Sequence, residues 1–360
     1  MKIIFATGIF PPDIGGPATY VERLATDLHR QGFNVGVITY SDNKGKEYNF
    51  QIKRISRKWP FFLRYFIYFF ALLKLAINYD VVYAQNLTSA GLPALLISKL
   101  TGKRFVLKIV GDAAWEQKKN YLKGIQKFVA KNANKIITPS YYLKDLVSSW
   151  EVPKEKIKVV YNAPKTVTKL NLSKVEAKEK IGIKGDIILS VGRLSSWKGF
   201  PDLIAIMPDL LEENSSFKLL IVGEGEEKEK LRFQILRLGL ENKVKLTGVI
   251  AHSEMPFYFK AADVFVLNSG YEGLSHVILE AMQLETPIVA SSKGGNPELL
   301  QNNFNGFLVE YKNQKEIKTA ILNIWRDKNL QEKFKQNSKE KLKDFTWENL
   351  IRETLKVLKK

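Results

Sequence analysis

The chain of 360 residues has no cysteine, which excludes disulfides, thiolate-held metal and a thiol nucleophile, and suits a reducing cytosol. It has three histidines, His29, His252 and His276, and no Asp-x-Asp pair, so a metal-bridged diphosphate is not suggested and no metal is expected. A run able to cross a bilayer is missing too. A spanning helix needs about 20 mainly apolar residues, and in the most apolar stretch Arg64 and Lys74 leave only nine uncharged residues between them. The start, MKIIFATGIFPPD, carries one lysine, a short apolar run cut by Pro11 and Pro12, and no small-residue cleavage site. It reads as a buried first strand rather than as a signal peptide. Tandem repeats and low-complexity tracts are also absent.

What is present is an ordinary globular composition, 45% hydrophobic, with an uneven charge. Of the net charge of +19, residues 1–165 carry 26 Lys/Arg against 11 Asp/Glu, and residues 166–360 carry 30 against 26. The excess is therefore +15 in the first part and +4 in the second. A basic half attracts polyanions: nucleic acid, anionic headgroups or phosphorylated substrates.

The length exceeds what one core usually supports. KIIFAT, NVGVITY, VVYAQ, RFVLKIV, KIITPS and IKVVYN read as buried parallel strands, with helical patterns between several of them, as at 17–31 and 141–150. IILSVGR, KLLIVGEG, KVKLTG, VFVLNS, PIVASS and GFLVE repeat the scheme. This alternation predicts an α/β protein with two doubly wound, Rossmann-like domains. The break falls in the polar stretch 162–186, which gives domains 1–165 and 166–345. Ligands of such sheets bind beyond the carboxyl ends of the strands, so a cleft between the two domains is the expected site.

Four strand-to-helix loops carry candidate chemistry. In GIFPPDIGGPATYVERLA, Gly15 and Gly16 let backbone approach a ligand before a helix start, although a plain turn fits equally. In SVGRLSSWKGF, Arg193 and Lys198, flanked by Gly192 and Gly199, suit a diphosphate, the alternative being two solvated cations. In IVGEGEEKEKL, Gly223 and Gly225 are followed by Glu226 and Glu227 where a phosphate loop would avoid acids, so a dinucleotide fingerprint is rejected. In GYEGLSHVILEAM, Glu272 lies in a loop and Glu280 inside the following helix. Carboxylates accept hydrogen bonds from sugar diols, and the N–H groups of Leu274, Ser275, His276 and Val277 open the helix toward an anion. For Glu280 taken alone, a solvated helix acid is the plainer reading.

On these residues the chain resembles the retaining glycosyltransferases of family 4, of the GT-B fold and of the type that builds bacterial cell-surface or lipid-linked glycans. EGLSHVILE resembles the family's E-x7-E motif, and FPPDIGGPATYVERLA, VGRLSSWKGF, VGEGEEKEKL, LTGVI, TPIVASSKGGNPELL and FTWENLIRETLKVL follow the family's order. The resemblance covers essentially the whole chain. It implies two domains facing across a deep cleft and a C-terminal helix, 346–360, that crosses back onto the first domain. It implies a nucleoside-diphosphate sugar as substrate and no cofactor. Arg193 and Lys198 would bind the diphosphate, Glu280 the ribose hydroxyls and Glu272 the transferred sugar. Gly192 and Gly273 to Val277 would contact donor backbone-to-ligand, with the base near Gly223 and Val249, and Gly15 and Gly16 closing from the other domain. The family's cleft histidine is missing: its loop reads LKIVGDAAWE, where Asp112 is the candidate to orient acceptor or donor sugar.

The basic first half has an aromatic centre. Within KRISRKWPFFLRYFIYFFALLKLAI, residues 53–77, seven aromatic residues crowd positions 61–70, with Arg57, Lys58 and Arg64 beside them. A second stripe, Lys119, Lys123, Lys127, Lys131 and Lys135, recurs every four residues. A helix lying in the interface of an anionic membrane fits both, the alternative being a core helix and a solvated face. The expected setting is cytoplasmic, peripheral at the inner face of the membrane, with a lipid-linked or glycan acceptor. No nucleic-acid-binding motif appears. A soluble-acceptor transferase and a non-catalytic sugar-nucleotide binder are the competing functions.

Overall fold

The computed structural model describes residues 1–13, 15–111, 120–164 and 172–359. The chain divides into two compact units, Met1–Tyr161 with Glu348–Lys360, and Asn162–Trp347. Each is a wholly parallel sheet covered by helices, among the described residues.

The first sheet holds β1 (Lys2–Thr7), β2 (Asn34–Tyr40), β3 (Gln51–Ile55), β4 (Val81–Gln85), β5 (Arg104–Lys108), β6 (Lys135–Thr138) and β7 (Ile157–Val159), in the order 3-2-1-4-5-6-7. The second holds β8 (Asp186–Val191), β9 (Phe217–Val222), β10 (Val244–Gly248), β11 (Val264–Leu267), β12 (Ile288–Ser291) and β13 (Phe307–Val309), in the order 10-9-8-11-12-13. Strand order reverses between β1 and β4 in one sheet and between β8 and β11 in the other. At such a switch the crossover helices leave to opposite faces and open a crevice beyond the strand ends.

The central strands form because their Val, Ile, Phe and Ala side chains are buried on both faces: Ile3 to Ala6, Val81 to Ala84 and Ile187 to Leu189 are all within the core. Helix Gly16–Arg30 lays Ala18, Val21, Leu24, Ala25 and Leu28 on the sheet, a helical stripe entered through Pro17. Strand β3 is absent from the sequence reading. It is an edge strand in which only Ile55 is buried and Lys53 points to solvent, so its apolar signal is weak.

Two features differ from what the local sequence pattern suggests. Within the polar stretch 162–186 lies helix Lys174–Lys180, closed by a reciprocal Ser173–Glu176 capping box. The helix is held from afar, because Asp263, 4% exposed, accepts from Lys174 at 2.9 Å, from Lys178 at 2.7 Å and from the Ile187 backbone N–H at 2.9 Å. Burial works to push the Asp263 carboxyl up, but Lys174 and Lys178 outweigh it and hold the group below the usual carboxylate range. The lysine stripe does not run to Lys135 either. Helix Asn120–Asn132 ends before it, and Lys135 opens β6 with its Nζ on the Glu155 carbonyl, 3.0 Å away.

The last helix, Trp347–Lys359, buries Leu350, Ile351, Thr354, Val357 and Leu358. Arg104 of β5 donates to the Val357 carbonyl at 3.0 Å, which pins this helix to the first unit. Among the described residues no helix is long and apolar enough to cross a membrane.

Candidate active site

In the second unit the candidate donor residues gather at the carboxyl edge of the sheet, on both sides of the β8/β11 switch. Lys198 follows β8 and Glu272 follows β11. Their side chains meet: Lys198 Nζ donates to Glu272 Oε1 at 2.5 Å, with the two side chains 15% and 14% exposed. The cation and the carboxylate that sequence reasoning assigned to phosphate and to sugar are thus partners in this structure.

Local packing explains why the lysine arrives there. Gly199 has φ +61°, and a Cβ at that position would sit 2.2 Å from the Asn268 carbonyl oxygen. Only glycine therefore lets the Lys198 loop press on the end of β11. Asn268, buried to 1% exposure, locks the contact by donating to the Gly199 carbonyl at 3.2 Å and accepting from the Lys312 N–H at 3.0 Å. The Gly270 N–H donates to the Trp197 carbonyl at 2.7 Å and ties the same two loops again. The aliphatic part of Lys198 runs along Gly192.

On the far side the loop after β12 braces Glu272. Gly294, φ +63°, lies so close that an added Cβ would be 2.1 Å from the Glu272 carbonyl oxygen, and the Gly295 N–H donates to that oxygen at 2.8 Å. Ser275 caps helix His276–Gln283 by accepting from Ile278 N at 3.3 Å. This leaves Gly273, Leu274 and Ser275 buried at the helix entrance, with Val277 and Glu280 half-buried on its first turns. His276 is exposed, and its Nε2 lies 3.2 Å from Asn162 Nδ2. Gly223 N–H bridges to the Gly248 carbonyl at 2.9 Å, placing exposed Val249 beside the end of β9. Arg193 is exposed and has no ion pair among the described residues. Asn268, Gly294 and Gly295 were not singled out from sequence, although the doubled glycine after a strand signals a close backbone approach.

In the first unit, Gly15 is tight against Ile9 and caps helix Gly16–Arg30, while Gly16 faces open space. The β1/β4 switch opens into a cavity of about 510 Å³ lined by the ends of β1, β4 and β5. Asp112 and Lys119 lie outside the described residues. Arg57 is a clamp within the unit: its guanidinium grips the Asp13 carboxylate, at 3.1 Å through one nitrogen, and donates to the Tyr40 carbonyl at 2.7 Å. Arg64 lies over the Tyr40 and Phe61 rings. Lys58, Lys123 and Lys127 are exposed.

Helix Phe61–Ala76 turns Tyr68, Leu72 and Ala76 inward and leaves Phe62, Phe66 and Phe70, at 85%, 61% and 50% exposure, along its outer side.

The family model of glycosyl transferases group 1 matches residues 173–341, and that of Glycosyltransferase Family 4 matches residues 14–165. The chain is 31% identical over 386 residues to an uncharacterized glycosyltransferase of Methanocaldococcus jannaschii, covering 100% of this chain and 98% of that protein. It is 30% identical over 356 residues to the alpha-monoglucosyldiacylglycerol synthase of Streptococcus pneumoniae, covering 89% of this chain and 78% of the synthase. Among solved structures, Anabaena HepE in complex with UDP superimposes with a TM-score of 0.84 at 22% identity over 100% of both chains. Sucrose-phosphate synthase of Thermosynechococcus elongatus superimposes with a TM-score of 0.86 at 20% identity, over 99% of this chain and 98% of that one. The two structural likenesses carry the fold, and the full-length sequence relationships carry the family. The chain belongs to the glycosyltransferases of group 1 and family 4, with the two Rossmann-like domains of the GT-B fold.

Proposed function

We propose that the chain transfers a hexose-type sugar, with retention and without a metal ion, from a nucleoside-diphosphate sugar to a membrane-associated acceptor, lipid-linked or part of a cell-surface glycan. The observation that carries the donor half is the Lys198–Glu272 pair at the β8/β11 switch, with Arg193 on the same loop as the lysine. Anabaena HepE has been crystallised with UDP and with UDP-glucose, which supports a nucleotide sugar as the donor class here.

In this reading Arg193 and Lys198 take the diphosphate, Glu280 the ribose diol, and Glu272 the sugar. The bond between the anomeric carbon and the diphosphate oxygen breaks as the acceptor oxygen bonds to the same face of that carbon. The acceptor's proton passes to the leaving phosphate. Negative charge grows on the leaving group, and cations fixed in advance at that point lower the barrier. Glu272 and Glu280 are grips rather than an acid and a base.

The acceptor half is supported by the outer phenylalanine stripe and the basic first unit, which suit an anionic membrane at the cytoplasmic face. The name of the pneumococcal relative, a diacylglycerol glycoside synthase, points the same way. The likeness to sucrose-phosphate synthase favours a soluble acceptor as the second reading. A thermal-shift panel of nucleotide sugars, followed by transfer assays with anionic vesicles and with soluble sugars, tests both halves. Stabilisation by one nucleotide sugar and transfer only onto vesicle-borne acceptor is the expected result. No stabilisation by any donor defeats the reading, and transfer onto free sugars alone moves it to the second.

A further inference from the structure

The amino ends of β1, β2 and β3 border a second cavity, at the opposite end of the sheet from the β1/β4 switch. Its volume is about 690 Å³, within the range of a small-ligand site, and the donor reading makes no use of it. Asn34 opens β2 and Gln51 opens β3, with Asn49 just before that strand and Asn78 ahead of β4. All four amides are exposed, and none of their side chains hydrogen-bonds to the protein among the described residues. Phe33, Phe50 and Tyr79 supply apolar wall. Phe50 is held in place by the Tyr48 ring, 5.2 Å away between centroids, and by the His29 ring at 5.9 Å. Tyr79, 5% exposed, passes β2 at Gly36, where a Cβ would lie 2.3 Å from its hydroxyl. His29 also lines the cavity, and its Nδ1 is buried without a hydrogen-bond partner.

The electrostatics of this wall select against an anion. Helix Gly16–Arg30 ends there, followed by Gly32 and Phe33, and helix Phe61–Ala76 ends just before Asn78 and Tyr79. Helix carboxyl ends carry partial negative charge and disfavour a phosphate. Lys2 is the one lysine among the described lining residues, and its backbone N–H donates to the neighbouring Asp80 carboxylate at 2.8 Å. Lys359 of the last helix lies nearby, over the Phe33 ring, 5.9 Å from its centroid. No arginine fork lines the cavity among the described residues. A primary amide both donates and accepts, as a sugar hydroxyl does, so the two pair in either sense. A fixed ring offers a flat apolar face to the C–H side of a pyranose. Free amides around fixed rings, without a cation fork, match a neutral saccharide better than a nucleotide.

We propose that this cavity binds a neutral oligosaccharide, with Phe50 as the platform for one sugar ring and Asn49 and Gln51 gripping its hydroxyls. That this saccharide is a stretch of the glycan being extended rests on the transferase reading above; saccharide binding itself does not, and it is tested apart from that reading.

The probes are maltotriose, mannotriose and chitotriose, each followed by saturation-transfer difference NMR with the full chain. Asn49→Ala with Gln51→Ala removes two exposed amides that hold nothing in the fold, so stability should stay nearly constant. Phe50→Leu removes the flat face and keeps apolar bulk. Wild type is expected to bind at least one of the three. The double amide variant should bind it about 5–30-fold more weakly, as loss of two neutral hydrogen bonds does. Phe50→Leu should weaken it about 2–10-fold. Binding should persist through a tenfold rise in salt, because no ion pair carries it. Affinity for free nucleoside diphosphates should be the same in wild type and both variants. Equal saccharide binding by the double variant and wild type overturns the site, as does absence of binding to all three probes. Binding that disappears with salt overturns the neutral class of ligand. Failure of wild type to bind any nucleotide donor is a separate outcome, which defeats the transferase reading and leaves the saccharide site standing.

Discussion

Replacing Glu272 with glutamine should tighten nucleoside-diphosphate binding while slowing transfer. Lys198 Nζ sits 2.5 Å from Glu272 Oε1, and neither side chain is more than 15% exposed. A diphosphate that reaches Lys198 therefore meets the carboxylate already bound there. Two like charges about 6 Å apart, at an effective dielectric of about 20, repel by about 3 kcal/mol. Screening and water at the edge of the site lower this to about 1–2 kcal/mol. Glutamine keeps the shape and can still accept from the lysine, so the change isolates the charge. Titration of free UDP and GDP into both proteins should show about 5–30-fold tighter binding to Glu272→Gln for whichever nucleotide wild type prefers. Turnover should fall if Glu272 grips the sugar as proposed. Glu280→Gln should move the other way, weakening the diphosphate through its ribose. Unchanged or weaker binding to Glu272→Gln would refute the claim that Lys198 is shared between carboxylate and phosphate.

Three further outcomes follow from the same structure. Asp263→Ala strands the buried end of Lys174 and Lys178 and should cost about 3–5 kcal/mol, read as a lower urea midpoint. In wild type the contribution of this carboxylate is complete above its unfolded value of about 3.9 and is lost as pH falls through the depressed folded value, so acid unfolding should be blunted in the variant. Gly199→Ala forces a side chain against the Asn268 carbonyl, 2.2 Å away, and should weaken diphosphate binding together with a loss of about 1–3 kcal/mol in stability. Phe62→Ser with Phe66→Ser and Phe70→Ser removes exposed rings only, so the thermal midpoint should stay nearly constant while co-sedimentation with anionic vesicles drops; equal sedimentation would reject the membrane face.

The strands that were legible in the sequence are those buried on both faces, where Val and Ile run unbroken, as in β1 and β4. Strand β3 was not, because an edge strand with Lys53 and Arg54 in its middle looks like a loop. Helix Lys174–Lys180 was hidden for a different reason. Its polar sequence gains a fixed place through Asp263, more than eighty residues away, and through Phe257, whose ring lies under Lys180, and no local pattern reports either. The same limit applies to the site. Residue types and loop positions pointed to Lys198 and Glu272 separately, but their contact spans 74 residues of chain. Arg57 shows the converse: a surface cation by sequence, it is spent on Asp13 across the unit. Lys108 lay unnoticed inside RFVLKIV because a lysine at a strand end is ordinarily solvated, and its burial is a tertiary fact.

The central claim is that fixed cations, not a carboxylate pair, drive departure of the diphosphate. Steady-state turnover of the preferred nucleotide sugar by Lys198→Ala, beside a folded-state control by circular dichroism, tests it most directly. A fall of about 10²–10³ in kcat with the fold intact is expected, as for loss of one preorganised donor elsewhere. Near-normal turnover in that variant would contradict it.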